Sequence, residues 1–162
     1  MSGVRGWGFG VRMVGILAVA CNAVTACAPS VGETPKAGAA MSRAIIDPYL
    51  RIQEALAKDS IDGIRVNAGD IATATTALGA PAFKIDTSAL QLASAGDLAD
   101  ARAKFGVLSD AIVTYMTGLH LTPPSGVRLA YCPMVAKPWL QEGTTLANPY
   151  YGSGMPSCGE FR

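Results

Sequence analysis

Asp97-Leu98-Ala99-Asp100-Ala101-Arg102-Ala103-Lys104-Phe105-Gly106-Val107-Leu108-Ser109-Asp110-Ala111-Ile112-Val113-Thr114-Tyr115-Met116-Thr117-Gly118-Leu119 decides the fold class of this chain. Leu98, Ala101, Phe105, Leu108, Ile112, Tyr115 and Leu119 recur at steps of three and four, which puts them on one face of a helix. Asp97 stands where a short polar side chain caps the first free N–H groups, and Gly118 marks the end. Asp97 and Asp100 are therefore helix-start residues and not a catalytic pair.

Upstream, the same period returns. Ile45, Tyr49, Ile52 and Leu56 fall on one helix face. Asp47-Pro48 starts that helix or, if it begins near Ser42, Pro48 kinks it. A second seam, Ile61, Ile64, Ala68, Ile71, Thr75 and Leu78, follows a cap at Asp59 or Ser60 and closes at Gly79 and Pro81. Gly63, Gly69 and the threonines between Thr73 and Thr76 make this helix intrinsically weak, so packing must hold it. A short helix is expected over Thr87 to Ala95 after Asp86. The sum is a mostly α protein, an antiparallel bundle of three or four helices with short connections.

Beyond Pro123-Pro124-Ser125-Gly126 the pattern changes. Val127, Leu129 and Tyr131 alternate with Arg128 and Ala130, a short strand. The rest is turn-rich and aromatic, and six of the chain's ten prolines lie from position 123 onward. Such a stretch is a small irregular or β cap that something besides regular hydrogen bonding must pin.

The N-terminus reads as an export signal. Arg5 and Arg12, with no acidic residue, precede the apolar run Met13 to Ala20, and small residues lead to Cys27. The run is shorter than the roughly 20 apolar residues of a spanning helix. Val24-Thr25-Ala26-Cys27 is a lipobox, with Cys27 as the lipidated residue. Residues 1–27 are then the signal peptide, 28–44 a flexible Ala/Pro/Gly/Ser tether, and 45–162 a single domain. The expected location is the cell envelope, facing the periplasm and anchored by lipid. No acidic residue follows Cys27 directly, which favours the outer membrane in a Gram-negative cell.

Of the chain's 50% hydrophobic content, part leaves with the signal, and 11 basic residues then face 12 acidic ones. No basic excess remains for a nucleic-acid backbone. A single histidine, His120, excludes sites that need several imidazoles. It follows the last helix, where a cation suits the helix C-terminus. No phosphate loop, metalloprotease motif or nucleophile elbow occurs, so a non-enzymatic role is expected.

Chemistry concentrates in two mirrored clusters, Cys132-Pro133-Met134 and Met155-Pro156-Ser157-Cys158. Thiolate and thioether are the donors that suit Cu(I) and, by extension, Ag(I). Cys132, Met134, Met155 and Cys158 are thus candidate metal ligands, provided the chain between them folds back. The alternative is a Cys132–Cys158 disulfide, the common fate of two cysteines in an exported domain. It would add about 3–4 kcal/mol in the chain-entropy model.

Tyr131-Cys132-Pro133-Met134, Trp139-Leu140, Asn148-Pro149-Tyr150-Tyr151-Gly152, Met155 and Cys158-Gly159 together resemble a bacterial family of exported proteins classed as a domain of unknown function. Tyr49-Leu50, Ala55-Leu56, Phe105 and Leu108-Ser109 extend the likeness over roughly residues 45 to 161. Members of that family are standalone exported proteins or C-terminal extensions of membrane-fusion subunits in copper/silver efflux systems. The resemblance implies soft-metal handling in the envelope, with an efflux component as a partner. The rival expectation is a disulfide-stabilised structural or protein-interaction module without a metal.

Overall fold

Four helices and a small three-stranded antiparallel sheet make up residues 36–162, the part of the chain that the computed structural model describes. The lipobox, Cys27 and residues 28–35 of the expected tether lie outside the described residues. No helix among the described residues is long and apolar enough to cross a membrane.

Helix α1 spans Arg43–Ala57 and buries the expected seam, with Ile45, Tyr49, Ile52 and Leu56 all essentially inaccessible. Pro48 sits inside it, so the helix starts at Ser42 and not at Asp47. It ends in a two-bond motif in which Asp59 N–H donates to Leu56 O (3.1 Å) and Ser60 N–H to Ala55 O (2.9 Å). Asp59 takes the left-handed position of this motif, φ 58°, which aspartate tolerates better than most residues.

That use of Asp59 corrects the expected start of the next helix. Helix α2, Ile64–Thr76, begins after Gly63, φ 72°, and Ile61 is 43% exposed before it. Ile64, Ala68, Ile71 and Thr75 are buried as expected. Helix α3, Phe83–Ala93, starts four residues earlier than expected, directly after a 3₁₀ turn at Ala80–Ala82. Pro81 fixes that turn, and Ile85, Ala89 and Leu92 supply the buried stripe that draws the helix forward.

Helix α4, Leu98–Gly118, follows the sequence pattern closely. Asp97 caps it by accepting from Asp100 N–H at 2.9 Å. At the far end His120, φ 53°, occupies the left-handed position, with Leu121 N–H on Met116 O at 2.8 Å. Its carbonyl accepts from Gly38 N–H (2.7 Å), and Met41, only 2% exposed, donates to Thr122 O (2.9 Å). The packed domain therefore reaches back to Gly38, inside the expected tether. Helix α2 packs on α1 and α3, whereas α4 packs on α3, α1 and the sheet. Phe105 of α4 stacks on Tyr49 of α1, ring centroids 5.0 Å apart.

Strands β1 (Val127–Cys132), β2 (Lys137–Glu142) and β3 (Glu160–Phe161) order as β2-β1-β3. The alternation found β1; β2 and β3 were hidden in what read as irregular cap. Pro138 is admissible because β2 is an edge strand. Trp139, Leu140 and Gln141 are buried in succession, so β2 is covered on both faces and shows no alternation to detect.

Phe105 is fully buried among Tyr49 and Tyr150. Phe105→Ala should cost about 3–5 kcal/mol in denaturant unfolding. Lys104→Ala, which removes an i,i+4 pair with Asp100 and a long hydrogen bond to Ser94 at the surface, should change stability by less than about 1 kcal/mol.

Candidate functional site

The hairpin β1–β2 and the returning tail bring the two cysteine clusters to one end of the sheet. In the β1–β2 register Ala130 lies opposite Trp139 and Cys132 opposite Lys137. Directly opposed residues share a face, so Cys132 emerges on the side that holds Trp139. The tail covers that side. Gly159, φ 141°, lies so close that a Cβ there would stand 2.6 Å from Trp139 Cη2 and 2.9 Å from Tyr131 O. Only glycine fits this backbone and this contact.

Cys132 is fully buried and Cys158 partly exposed, and both are free thiols. They lie within interaction range of each other although 26 positions separate them. The N–H groups of Val135 and Met134, in the turn after Cys132, and the side chain of Asn148 favour its thiolate form. Burial pushes the Cys132 thiol up, but these donors outweigh it and hold it below the ordinary cysteine range. Burial and the neighbouring Cys132 push Cys158 up instead. One proton thus comes off the pair more readily than the second.

Met134 is 65% exposed on the turn and Met155 37% exposed ahead of Cys158. Both thioethers stand at the surface. Among the described residues no group of three or more His, Cys, Asp or Glu is placed to hold a metal ion. His120 is exposed at the end of α4, where its backbone serves the helix terminus.

Asn148 is the residue that the sequence reading passed over. It is fully buried. Its Nδ2 donates to Cys158 O at 2.6 Å, and its Oδ1 accepts from Tyr150 N–H at 2.8 Å and Tyr151 N–H at 3.3 Å. Its own N–H donates to Pro156 O at 2.8 Å. The Asn-Pro-Tyr-Tyr-Gly string, quoted for the resemblance, carried the signal: asparagine followed by a turn that its side chain closes.

A second clamp, also unforeseen, fixes the other side of this loop. Arg102 on α4 donates to Pro149 O (3.0 Å), to Leu56 O (3.1 Å) and to the Asp59 carboxylate. Asp59 also accepts from Ser153 through its N–H and its hydroxyl. Hydrogen bonds from Ser153 and then Arg102 hold the Asp59 carboxyl below the usual carboxylate range. Elsewhere, a cleft of about 710 Å³ between α1 and the loop after β2 carries Asp47, Arg51, Glu54, Lys58 and Glu142. Its charges are largely spoken for, since Lys58 pairs with Glu54, and Arg43 pairs with both Asp47 and Glu142.

No family model, no curated protein and no solved structure matches this chain.

Because the Asp59 carboxyl is depressed, its contribution is complete above the ordinary carboxylate range and is lost as pH falls through its lowered folded value. Asp59→Asn should therefore flatten the acid limb of the stability-against-pH curve, measured by thermal unfolding, relative to wild type. Gly159→Ala should lower stability at every pH, since the added methyl drives into Trp139.

Proposed function

We propose that this protein is a non-enzymatic, lipid-anchored component of the bacterial cell envelope that binds a soft monovalent ion, Cu(I) or Ag(I), through Cys132 and Cys158. The observation that carries the reading is the meeting of these two thiols, with N–H donors gathered on one of them. A thiolate is the form that binds a metal, and the donors around Cys132 favour that form. Two thiolates suffice for a soft ion that accepts low coordination. A structural zinc site takes four ligands, and the described residues offer no such group. Met134 and Met155 are exposed thioethers close in sequence to the two cysteines, suited to capture an ion before the thiols take it.

The likeness of the tail to exported proteins and efflux-subunit extensions supports a link to metal efflux or resistance, with an efflux component as partner. Attachment to the membrane runs through Cys27, on the periplasmic side, at the outer membrane in a Gram-negative cell. The helices belong in this reading as an antiparallel bundle that carries the sulfur-bearing cap.

The proximity of the thiols also favours a second reading, a disulfide-stabilised structural or interaction module with no metal. Titration separates the two. Reduced, anaerobic protein should take one equivalent of Cu(I) from a competing chelator, Cys132→Ser should abolish this uptake, and His120→Ala should leave it intact. Asn148→Ala, which removes a donor to the Cys132 sulfur, should weaken Cu(I) binding about 10–100-fold. Reduced protein that draws no Cu(I) from the chelator overturns the metal reading. Loss of both thiols on isolation, with a tail that loosens on reduction, then supports the structural one.

A further inference from the structure

We propose that Cys158 is a site of S-thiolation by small exogenous disulfides, and that Cys132 resolves the adduct into a Cys132–Cys158 disulfide that switches the soft-metal site off. The metal half of this proposal rests on the function proposed above; the thiol chemistry stands apart from it.

Access assigns the order. A thiol that attacks an external disulfide must meet its sulfur directly. Cys132 has no exposed surface, and the tail at Gly159 lies against Trp139 and the Tyr131 carbonyl beside it. Cys158 is partly exposed, and the residues leading to it, Met155, Pro156 and Ser157, are all exposed. Its main chain is nevertheless held, by Asn148 Nδ2 on its carbonyl and by its own N–H on Met155 O at 3.2 Å. Cys158 is therefore a reachable thiol on a fixed backbone, with one face to solvent and the other to Cys132.

The chemistry balances in two exchanges. Cys158, its proton lost to solvent, attacks one sulfur of RS–SR; the Cys158–S–S–R bond forms, and RS⁻ leaves and takes up a proton. Cys132 thiolate then attacks the Cys158 sulfur; the Cys132–Cys158 bond forms and the second RS⁻ departs. Two protein thiols have been oxidised and one disulfide RS–SR reduced to two RSH. The second step needs no search through space, because Cys132 already faces the sulfur it attacks. Both thiolates are consumed, so the closed pair no longer offers the donors that a soft ion takes. A small thiol in excess reverses the two steps.

Glutathione disulfide added to reduced, metal-free protein under anaerobic conditions tests the order, with acid quenching and peptide mass spectrometry to map adducts. Wild type should lose the Cys132 and Cys158 thiols together and hold no lasting adduct on either. Cys132→Ser should accumulate one stable glutathione adduct on Cys158. Cys158→Ser should keep Cys132 unmodified over the same period. Circular dichroism checks that each variant folds, and Cys132→Ala repeats the trapping if the serine is not tolerated in the buried position. Adducts that form on Cys132 in Cys158→Ser as fast as on Cys158 in Cys132→Ser overturn the assigned order. A stable adduct on wild type overturns the resolving step. One equivalent of Cu(I) should protect both thiols. Thiolation in the expected order without protection by Cu(I) sinks the metal reading and leaves the thiol chemistry standing; protection without that order does the reverse.

Discussion

A single buried side-chain amide, that of Asn148, holds the end of this protein together. The tail from Thr144 to Gly159 is short of regular backbone pairing, and an unpaired buried polar group costs about 1–3 kcal/mol. Asn148 answers this locally. Its oxygen takes two N–H groups of the following turn, its nitrogen takes the Cys158 carbonyl, and its N–H takes the Pro156 carbonyl. The turn at Tyr150 and Tyr151 and the segment from Pro156 to Cys158 are thereby tied to one residue. The same amide lies against the Cys132 sulfur, so tail order and thiol charge share a cause.

An aromatic chain connects that end to the helices. Tyr49 of α1 stacks on Phe105 of α4 at 5.0 Å, Phe105 meets Tyr150 at 5.8 Å, and Tyr150 meets Trp139 of β2 edge-on at 6.1 Å. Polar ends are satisfied along the way: Tyr49 Oη with Ser109 Oγ at 2.7 Å and Leu140 N–H at 3.2 Å, and Trp139 Nε1 with Gln141 Oε1 at 2.9 Å. Burial pushes both tyrosine hydroxyls well above their ordinary range, so the relay stays neutral. The hairpin is thus not an appendage. Its second strand is the surface on which α1 and α4 close, and the tail that carries Cys158 rests on the other side of Trp139.

The sequence was legible wherever one face of an element is buried and the other wet. Helix α4, with its Asp97 cap and its Phe105 seam, and the Ile45–Leu56 stripe of α1 follow from period alone. Legibility failed where two uses competed for a residue. Asp59 is a good cap by composition, yet it closes α1 in a left-handed turn and binds Arg102 and Ser153, partners 43 and 94 positions away. It failed again where burial is two-sided, as at Trp139, Leu140 and Gln141, because period two vanishes when both faces are covered. Of the candidate site, the cysteines were readable from their mirrored clusters. The donors that act on them were not, since two are backbone N–H groups of the turn and the third, Asn148, arrives from a separate loop.

The two candidate fates of the thiol pair draw on this same construction. N–H groups and an amide aimed at Cys132 stabilise negative charge on sulfur, and that charge is what both a soft cation and a neighbouring disulfide would remove. Gly159, at a φ of 141° that glycine adopts freely, lets the chain pass Trp139 directly after Cys158. This approach of the chain serves a soft ion and a disulfide alike, since each needs the two sulfurs at one end of the sheet.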